Sequence, residues 1–328
     1  MATPIPDDEL GRYWVQANIE DSVRRKFSSG IFVFLGFGPQ RQPKIAGTGF
    51  AIGSNGRDAL VITAKHVLTG GPDSIADIQN PHRRSATSMP DVFRLEERPS
   101  VDIKKLRAVW VGESQVDMCV VHDIQYTDHL DIAICTVSIQ EHTQGKKLIN
   151  TFALDTSLPK LGSKIAFMSS SALDLNEISI DKSLERQTLK ISKTIIVRMG
   201  VITNVFPTGH RQFKFPCFET SIPVEPGMSG GLFYYPLVDQ PIAACGVAST
   251  DFSDASAKTN FLVSGQSLAA MIWPVVGFSM PGSLPASDTT PRRTVLDCIS
   301  AGEIPDVAET ALTIENLANG DYRVHRLP

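Results

Sequence analysis

The 328-residue sequence predicts an all-β protein of the sandwich or barrel class. Three observations carry that expectation. About a dozen short runs rich in β-branched and aromatic residues recur from residue 28 onward, most of them bounded by turn residues. Asn55-Gly56, between "GFAIGS" and "RDALVIT", is a strong two-residue hairpin signal. Helical spacing is confined to the two ends of this β-rich region.

In chain order, residues 7 to about 26 read as a helix. Asp7 or Asp8 caps it, and Leu10, Trp14, Ala17 and Val23 recur at near-helical spacing. "GIFVFLGF" reads as a buried strand rather than a secretory signal. Arg24-Arg25-Lys26 precede it, but Pro39-Gln40-Arg41 stand where a small-residue cleavage site would fall. The other runs are "GTGFAIG", "ALVITA", "LRAVWVG", "DMCVVH", "DIAICTV", "KIAFMS", "LKISKTIIVRMGVITNVF", "FKFPCFET", "GLFYY", "IAACGVAST" and "NFLVSG". About 250 residues of this kind make one domain or two packed barrels. "GQSLAAMIWPVVG" reads as a closing helix and residues 280 to 293 as a linker. The tail from Thr294 is expected to form a hairpin across Asn319-Gly320.

Composition narrows the function classes. A net charge of −4 lacks the basic excess that nucleic acid or an acidic membrane surface would favour. No apolar run approaches the roughly 20 residues of a membrane span. Five cysteines, Cys119, Cys135, Cys217, Cys245 and Cys298, show no close metal-ligand spacing. The first four lie in apolar strand-like settings, which reads as buried free thiols and a reducing compartment.

The chemistry gathers around "VEPGMSGGLFYY", residues 224 to 235. Two glycines after a serine suit a sharp turn at the mouth of a strand, a position fit for a nucleophile. Acyl transfer by serine needs an imidazole to take its proton, a carboxylate to orient that imidazole, and N–H groups for the oxyanion. Ser229 is the candidate nucleophile, with the N–H groups of Gly227 and Ser229 as oxyanion donors. His66, in "ALVITAKHVLTGG", follows a strand and precedes a Gly-Gly break. Asp131, in "TDHLDIAICTV", sits flush against an apolar run, where a carboxylate needs a partner. Asp123 and Asp128 are rivals with more exposed settings. Taken singly, each residue has an ordinary reading: a glycine turn, a structural histidine, a strand-start aspartate.

Together they stand in the order His, Asp, Ser, with gaps of about 65 and about 98 residues. "TAKHV", "LDIAI" and "PGMSGG" on an all-β background resemble the trypsin-like (chymotrypsin-fold) serine peptidases over roughly residues 28 to 280. That resemblance implies two six-stranded antiparallel β-barrels of the chymotrypsin/trypsin-like type with the active site between them. The first would span about 28–145 and the second about 146–280, flanked by an N-terminal helical segment (1–27) and a linker with a C-terminal extension (281–328). It further implies that Ser249, in "GVASTD", bonds the triad aspartate, and that residues 249 to 251 pair with substrate as an added strand. The specificity pocket would be walled by Ile222, Pro223, Val224, Glu225 and Pro226, by Ser249, Thr250 and Asp251, and by Thr259 to Leu262.

Departures from the family matter. Met228 stands where the digestive and clotting enzymes carry the aspartate that traps a new N-terminus. Lys65 replaces a small residue, and no cysteine pair flanks His66, which fits an intracellular bacterial-type, cytoplasmic member. Too few residues follow position 280 for a PDZ module. Pro223, six residues before Ser229, removes the basis for a trypsin-like basic preference, while Glu225 and Asp251 are expected to disfavour acidic P1 side chains. The polar stretch from Ser74 to Lys105 reads as a surface excursion.

The expectation is a serine endopeptidase that needs no metal or other cofactor and acts on a peptide or protein substrate, with no nucleic-acid or membrane partner. The two terminal additions would regulate it or recruit a regulatory protein partner. The alternative is a latent or non-catalytic protease-fold protein that binds peptide or scaffolds until a partner activates it. An esterase of the nucleophile-elbow type fits poorly, because its order is Ser, acid, His and its serine lies between a strand and a helix.

Overall fold

The computed structural model describes residues 13–17, 27–37, 43–69, 92–96, 101, 103–112, 116–127, 130–139, 149–181, 186–210, 213, 215–237, 240–251, 266–280, 293–308, 311–317 and 321–327, with backbone only for 94–96, 171–181, 186–192 and 250–251. The strands in chain order are β1 (Val15–Gln16), β2 (Ile31–Phe37), β3 (Pro43–Ser54), β4 (Asp58–Thr63), β5 (Val92–Glu96), β6 (Leu106–Val111), β7 (Val116–Thr127), β8 (Ala133–Ser138) and β9 (Ala153–Leu154). They continue as β10 (Lys164–Asp181), β11 (Arg186–Phe206), β12 (Cys217–Thr220), β13 (Leu232–Tyr234), β14 (Ala243–Asp251), β15 (Ser267–Met271), β16 (Leu312–Asn316) and β17 (Asp321–Arg326). Two short α-helices lie wholly within the described residues, α1 (Lys65–Thr69) and α2 (Val295–Ser300).

The pairings close two antiparallel barrels of six strands. The first runs β2–β3–β4–β8–β7–β6 and returns to β2. The second runs β10–β13–β14–β15–β12–β11 and returns to β10. Closure removes the open edges that an extended sheet would present. The sequence supports it strand by strand. β4 and β8, apolar along most of their length, are buried on both faces. β2 sends Phe32 and Phe34 into the main core, while Val33 and Leu35 pack with Val109 on the opposite face. In the second barrel Phe233 packs tilted against Phe167 and edge-on to Phe218, at centroid distances of 4.8 and 5.7 Å. Each buried ring of this kind contributes about 1.5–3 kcal/mol.

All five cysteines are buried and free, the first four as their apolar settings imply. Burial raises the thiol pKa of Cys135, Cys217 and Cys245, consistent with unreactive core side chains. No helix of the described residues is long and apolar enough to cross a membrane.

Four local expectations change. Residues 13–17 are extended rather than helical: Val15 and Gln16 pair with Met199 and Arg198 of β11, so sheet pairing overrides a weak helical spacing. The remainder of the expected helix, 7–12 and 18–26, lies outside the described residues. The β3–β4 hairpin forms one residue later than expected. Asn55 N–H donates to Asp58 O, and the Asn55 side chain accepts from the N–H groups of Arg57 and Asp58, leaving Gly56-Arg57 at the tip. The polar excursion contains β5, which pairs with β7 and buries Phe93. The expected closing helix is strand β15 followed by a 3-10 segment, Trp273–Gly277, because a short apolar run does not fix its own periodicity. "NFLVSG" lies outside the described residues.

The tail is part of the fold. α2 begins with a capping box between Thr294 and Asp297. β16 and β17 pair over Leu312↔Arg326 to Asn316↔Tyr322, and β17 extends the first barrel's sheet through β5. Tyr322 is the anchor. Its ring lies 5.4 Å from Phe93 and its hydroxyl donates to the Pro274 carbonyl at 2.9 Å. Tyr322→Ala is expected to cost about 3–5 kcal/mol, as for other buried rings, and Tyr322→Phe only about 1 kcal/mol. Denaturant unfolding of both variants checks this; equal midpoints would show that the ring is not held.

Lys193 of β11 ties the second barrel to the start of the first. Its ammonium donates to the carbonyls of Ser28 and Ile31, each at 2.6 Å. Burial pushes its pKa down to about 7. An unfolded lysine titrates near about 10.4, so between those values the unfolded chain binds more protons and stability rises with pH. The thermal midpoint of the wild type is therefore expected to gain on that of Lys193→Met from pH 7 to pH 10. Parallel curves would contradict it.

Candidate active site

The site forms where three separate segments meet. β4 ends at Thr63, and the chain turns at Ala64 into α1, which carries His66. Lys65 fastens this turn: its ammonium donates to Thr127 O at 3.1 Å and lies 4.5 Å from the centre of the Tyr126 ring. Asp131 precedes β8, and the pairing Thr63↔Ala133 brings it beside His66.

Asp131 is fully buried, and three donors surround its carboxylate. His66 Nδ1 lies 2.9 Å from Oδ2 and 3.1 Å from Oδ1, and the His66 backbone N–H donates to Oδ1 at 3.1 Å. Ser249 Oγ donates to Oδ2 at 2.5 Å. Ser249 reaches there from a bulge in β14, between the paired residues Ala248 and Thr250, and such an insertion re-aims a side chain. A carboxylate held by three donors orients the ring through Nδ1 and leaves Nε2 as the free nitrogen. The rival Asp123 is instead half-exposed and paired with its neighbour His122 at 2.8 Å. Asp128 lies outside the described residues.

Ser229 sits on the turn between β12 and β13. Glu225 O accepts the Met228 N–H at 3.0 Å across Pro226-Gly227, and Gly227 has φ +89°. Proline at the second position and a positive φ at the third define a type II turn, which glycine alone enters without strain. The peptide after Gly227 is pinned on its other side. Ser169 Oγ donates to Thr48 Oγ1 at 2.9 Å, and Thr48 Oγ1 donates on to Gly227 O at 3.3 Å. Thr48 N–H also donates to Ser229 O at 2.7 Å. Among the described residues, the N–H groups of Gly227 and Ser229 donate to no protein acceptor. Gly230, at φ +84°, is the second place where only glycine fits: a Cβ there would lie on Thr48 O and Thr63 Oγ1 and 3.1 Å from Ala64 N. This close approach seats the serine turn against the segment that leads into His66. Ser229 Oγ itself makes no hydrogen bond to His66 or to another described residue.

Of the residues expected to line the specificity pocket, Pro223 to Pro226 form the loop leading into the turn, with Ile222 and Val224 buried beneath it. Ser249 to Asp251 lie on β14, which pairs with β15 on one side. Its pairing with β13 stops at Val247, so the other edge of 249–251 has no partner strand among the described residues. The side chains of Thr250 and Asp251, and Thr259 to Leu262, lie outside the described residues. Glu225 is not the lone negative charge its position suggested: Arg198 Nη2 donates to its carboxylate. That removes its share of the ground for disfavouring acidic P1 side chains.

Thr48, Ser169 and Arg198 escaped the sequence reading. The first carries a weak signal, a threonine between two glycines in a strand ("GTG", 47–49). The other two look like ordinary strand polar residues. No group of acidic, histidine or cysteine side chains able to hold a metal ion occurs among the described residues.

Two closed six-stranded barrels with this cleft define a chymotrypsin-like fold. A family model described as the trypsin-like peptidase domain matches residues 47–240, more than half of the chain and all of His66, Asp131 and Ser229. The chain belongs to the trypsin-like peptidase domain family. Among solved structures, the MamO protease domain from Magnetospirillum magneticum (apo form) aligns over 76% of this chain and 94% of its own, at 11% identity and a TM-score of 0.41. No curated protein matches the chain in sequence.

Proposed function

We propose that this chain is a serine endopeptidase that cleaves peptide bonds through an acyl-enzyme. Ser229 Oγ attacks the scissile carbonyl while His66 Nε2 takes its proton. Asp131 fixes the ring so that Nε2 is the basic nitrogen and stabilises the imidazolium that forms. The N–H groups of Gly227 and Ser229 bind the oxyanion, a contribution worth about 10²–10³ in turnover per donor. His66 then returns the proton to the leaving amine, and water repeats the sequence on the acyl-enzyme. The substrate backbone would pair with residues 249 to 251 as an added strand.

The single observation that carries this reading is the Glu225–Met228 turn with the serine that follows it: among the described residues the N–H groups of Gly227 and Ser229 donate to no protein acceptor, and Thr48 holds Gly227 O and Ser229 O in place before any substrate arrives. Preorganised donors of that kind supply much of the stabilisation in acyl transfer. The lack of a hydrogen bond between Ser229 Oγ and His66 favours a second reading, a latent peptide-binding form that needs a partner to close. Catalytic hydrogen bonds are often loose in the absence of substrate, so this observation weighs less. Incubation with a peptide library, followed by mass analysis of the fragments, tests both. New termini that vanish with Ser229→Ala support the peptidase; peptide binding without cleavage supports the latent form.

A further inference from the structure

The buried Met228, next to the nucleophile, carries no charge and cannot hold the oxyanion turn through an ion pair. Something else has to hold it. Arg198 of β11 is one of the buried charged side chains among the described residues, at 5% exposure. Its guanidinium spans the loop that leads into the turn. Nη1 donates to Pro223 O at 2.6 Å, and Nη2 donates to the carboxylate of Glu225, the first residue of the turn. A planar fork is suited to bridging two acceptors in this way. Nε has no hydrogen-bond partner among the described residues, so these two bonds carry the whole load.

The outer face of the guanidinium is covered by the Trp14 ring, with Cζ 5.0 Å from its centre. Trp14 is placed by β1. Gln16 pairs with Arg198 itself, Ala17 N–H donates to Val197 O at 2.8 Å, and Ser221 Oγ donates to Tyr13 O. The N-terminal strand therefore grips both Arg198 and the start of the 221–226 loop. An aromatic face over a desolvated guanidinium both attracts the charge and excludes water from its bonds.

We propose that Trp14 and Arg198 are positioning residues that hold the Glu225–Met228 turn in its type II form, with residues 13–17 supplying the support; the proposal rests on the peptidase reading above. Types I and II differ by rotation of the central peptide. Rotation of the Pro226–Gly227 peptide would turn the Gly227 N–H away and bring the Pro226 carbonyl toward the oxyanion position. Clamping Pro223 and Glu225 together resists that rotation. Displacement of residues 13–17 from β11 would release it.

Two readouts test this. The first is the rate at which a fluorophosphonate modifies Ser229, followed by intact mass. Arg198→Ala should slow it about 10²-fold, the loss of one oxyanion donor, and millimolar methylguanidinium should restore part of the rate. Arg198→Lys should stay slow, because an ammonium lacks the fork. Trp14→Ala, which truncates a partly buried ring on the outer strand, should leave the barrels folded by circular dichroism and still slow the reaction about 10-fold, a share of that same loss. Equal rates in the wild type and these variants overturn the proposal. The second readout is crystallographic and independent of activity: Ser229→Ala with and without Arg198→Ala or Trp14→Ala. A rotated or unfixed Pro226–Gly227 peptide in either double variant supports the clamp, even if the wild type proved unreactive and the peptidase reading fell. An unchanged turn in both overturns the clamp, even if the wild type is an active peptidase.

Discussion

Ser229→Ala is expected to lower peptide-bond hydrolysis by about 10⁴ to 10⁶ while leaving the protein as stable as the wild type. The two halves of that expectation have different origins. The proposed reaction acylates this hydroxyl, so its loss would remove the covalent route. It also makes no hydrogen bond to another described residue, so its loss breaks nothing in the folded chain. The backbone around it carries the structure, through Ser229 O to Thr48 N–H and Gly230 N–H to Ala248 O. Progress curves on a cleaved peptide and a thermal melt together check the pair. A large loss of stability would mean that the side chain is structural.

The second large effect concerns Asp131. Asp131→Asn is expected to reduce turnover about 10⁴-fold near neutral pH. The carboxylate now accepts from His66 Nδ1, the His66 backbone N–H and Ser249 Oγ. An amide offers one acceptor oxygen and a pair of donors in the same space. If the oxygen serves the backbone N–H, the NH₂ group faces Nδ1 and selects the tautomer whose Nε2 carries a proton. That nitrogen can no longer take the Ser229 proton. Because the site is fully buried, water cannot relieve the mismatch, and some loss of stability is expected as well. Rates of substrate cleavage from pH 6 to pH 10 check this. A variant within tenfold of the wild type would remove Asp131 from the mechanism.

The barrels were legible because their strands alternate or run apolar over lengths that only strands satisfy. β2, β4 and β8 are the clearest cases. The ordered "TAKHV", "LDIAI" and "PGMSGG" motifs pointed to three residues, and the fold brings their segments to one cleft. Bonds between residues far apart in sequence were not legible. Thr48 and Gly227 are separated by 179 positions, and nothing in "GTGF" names its partner. Arg198 looks like a solvent-facing strand residue until Trp14 and Glu225 are placed around it. Trp14 was misplaced for a related reason. Near-helical spacing over a few residues says less than one pair of strand hydrogen bonds, and those come from β11, over 180 residues away. The 267–277 segment failed on length: "SLAAM" fits a helix or a buried strand, and the slot between β12 and β14 decides.

The most direct measurement is intact-mass analysis after fluorophosphonate treatment of the wild type and of Ser229→Ala. The account predicts a single adduct on the wild type and none on the variant, which requires an activated serine, a working base and an open oxyanion site at once. No adduct on the wild type, with the fold intact by circular dichroism, would contradict the proposed chemistry.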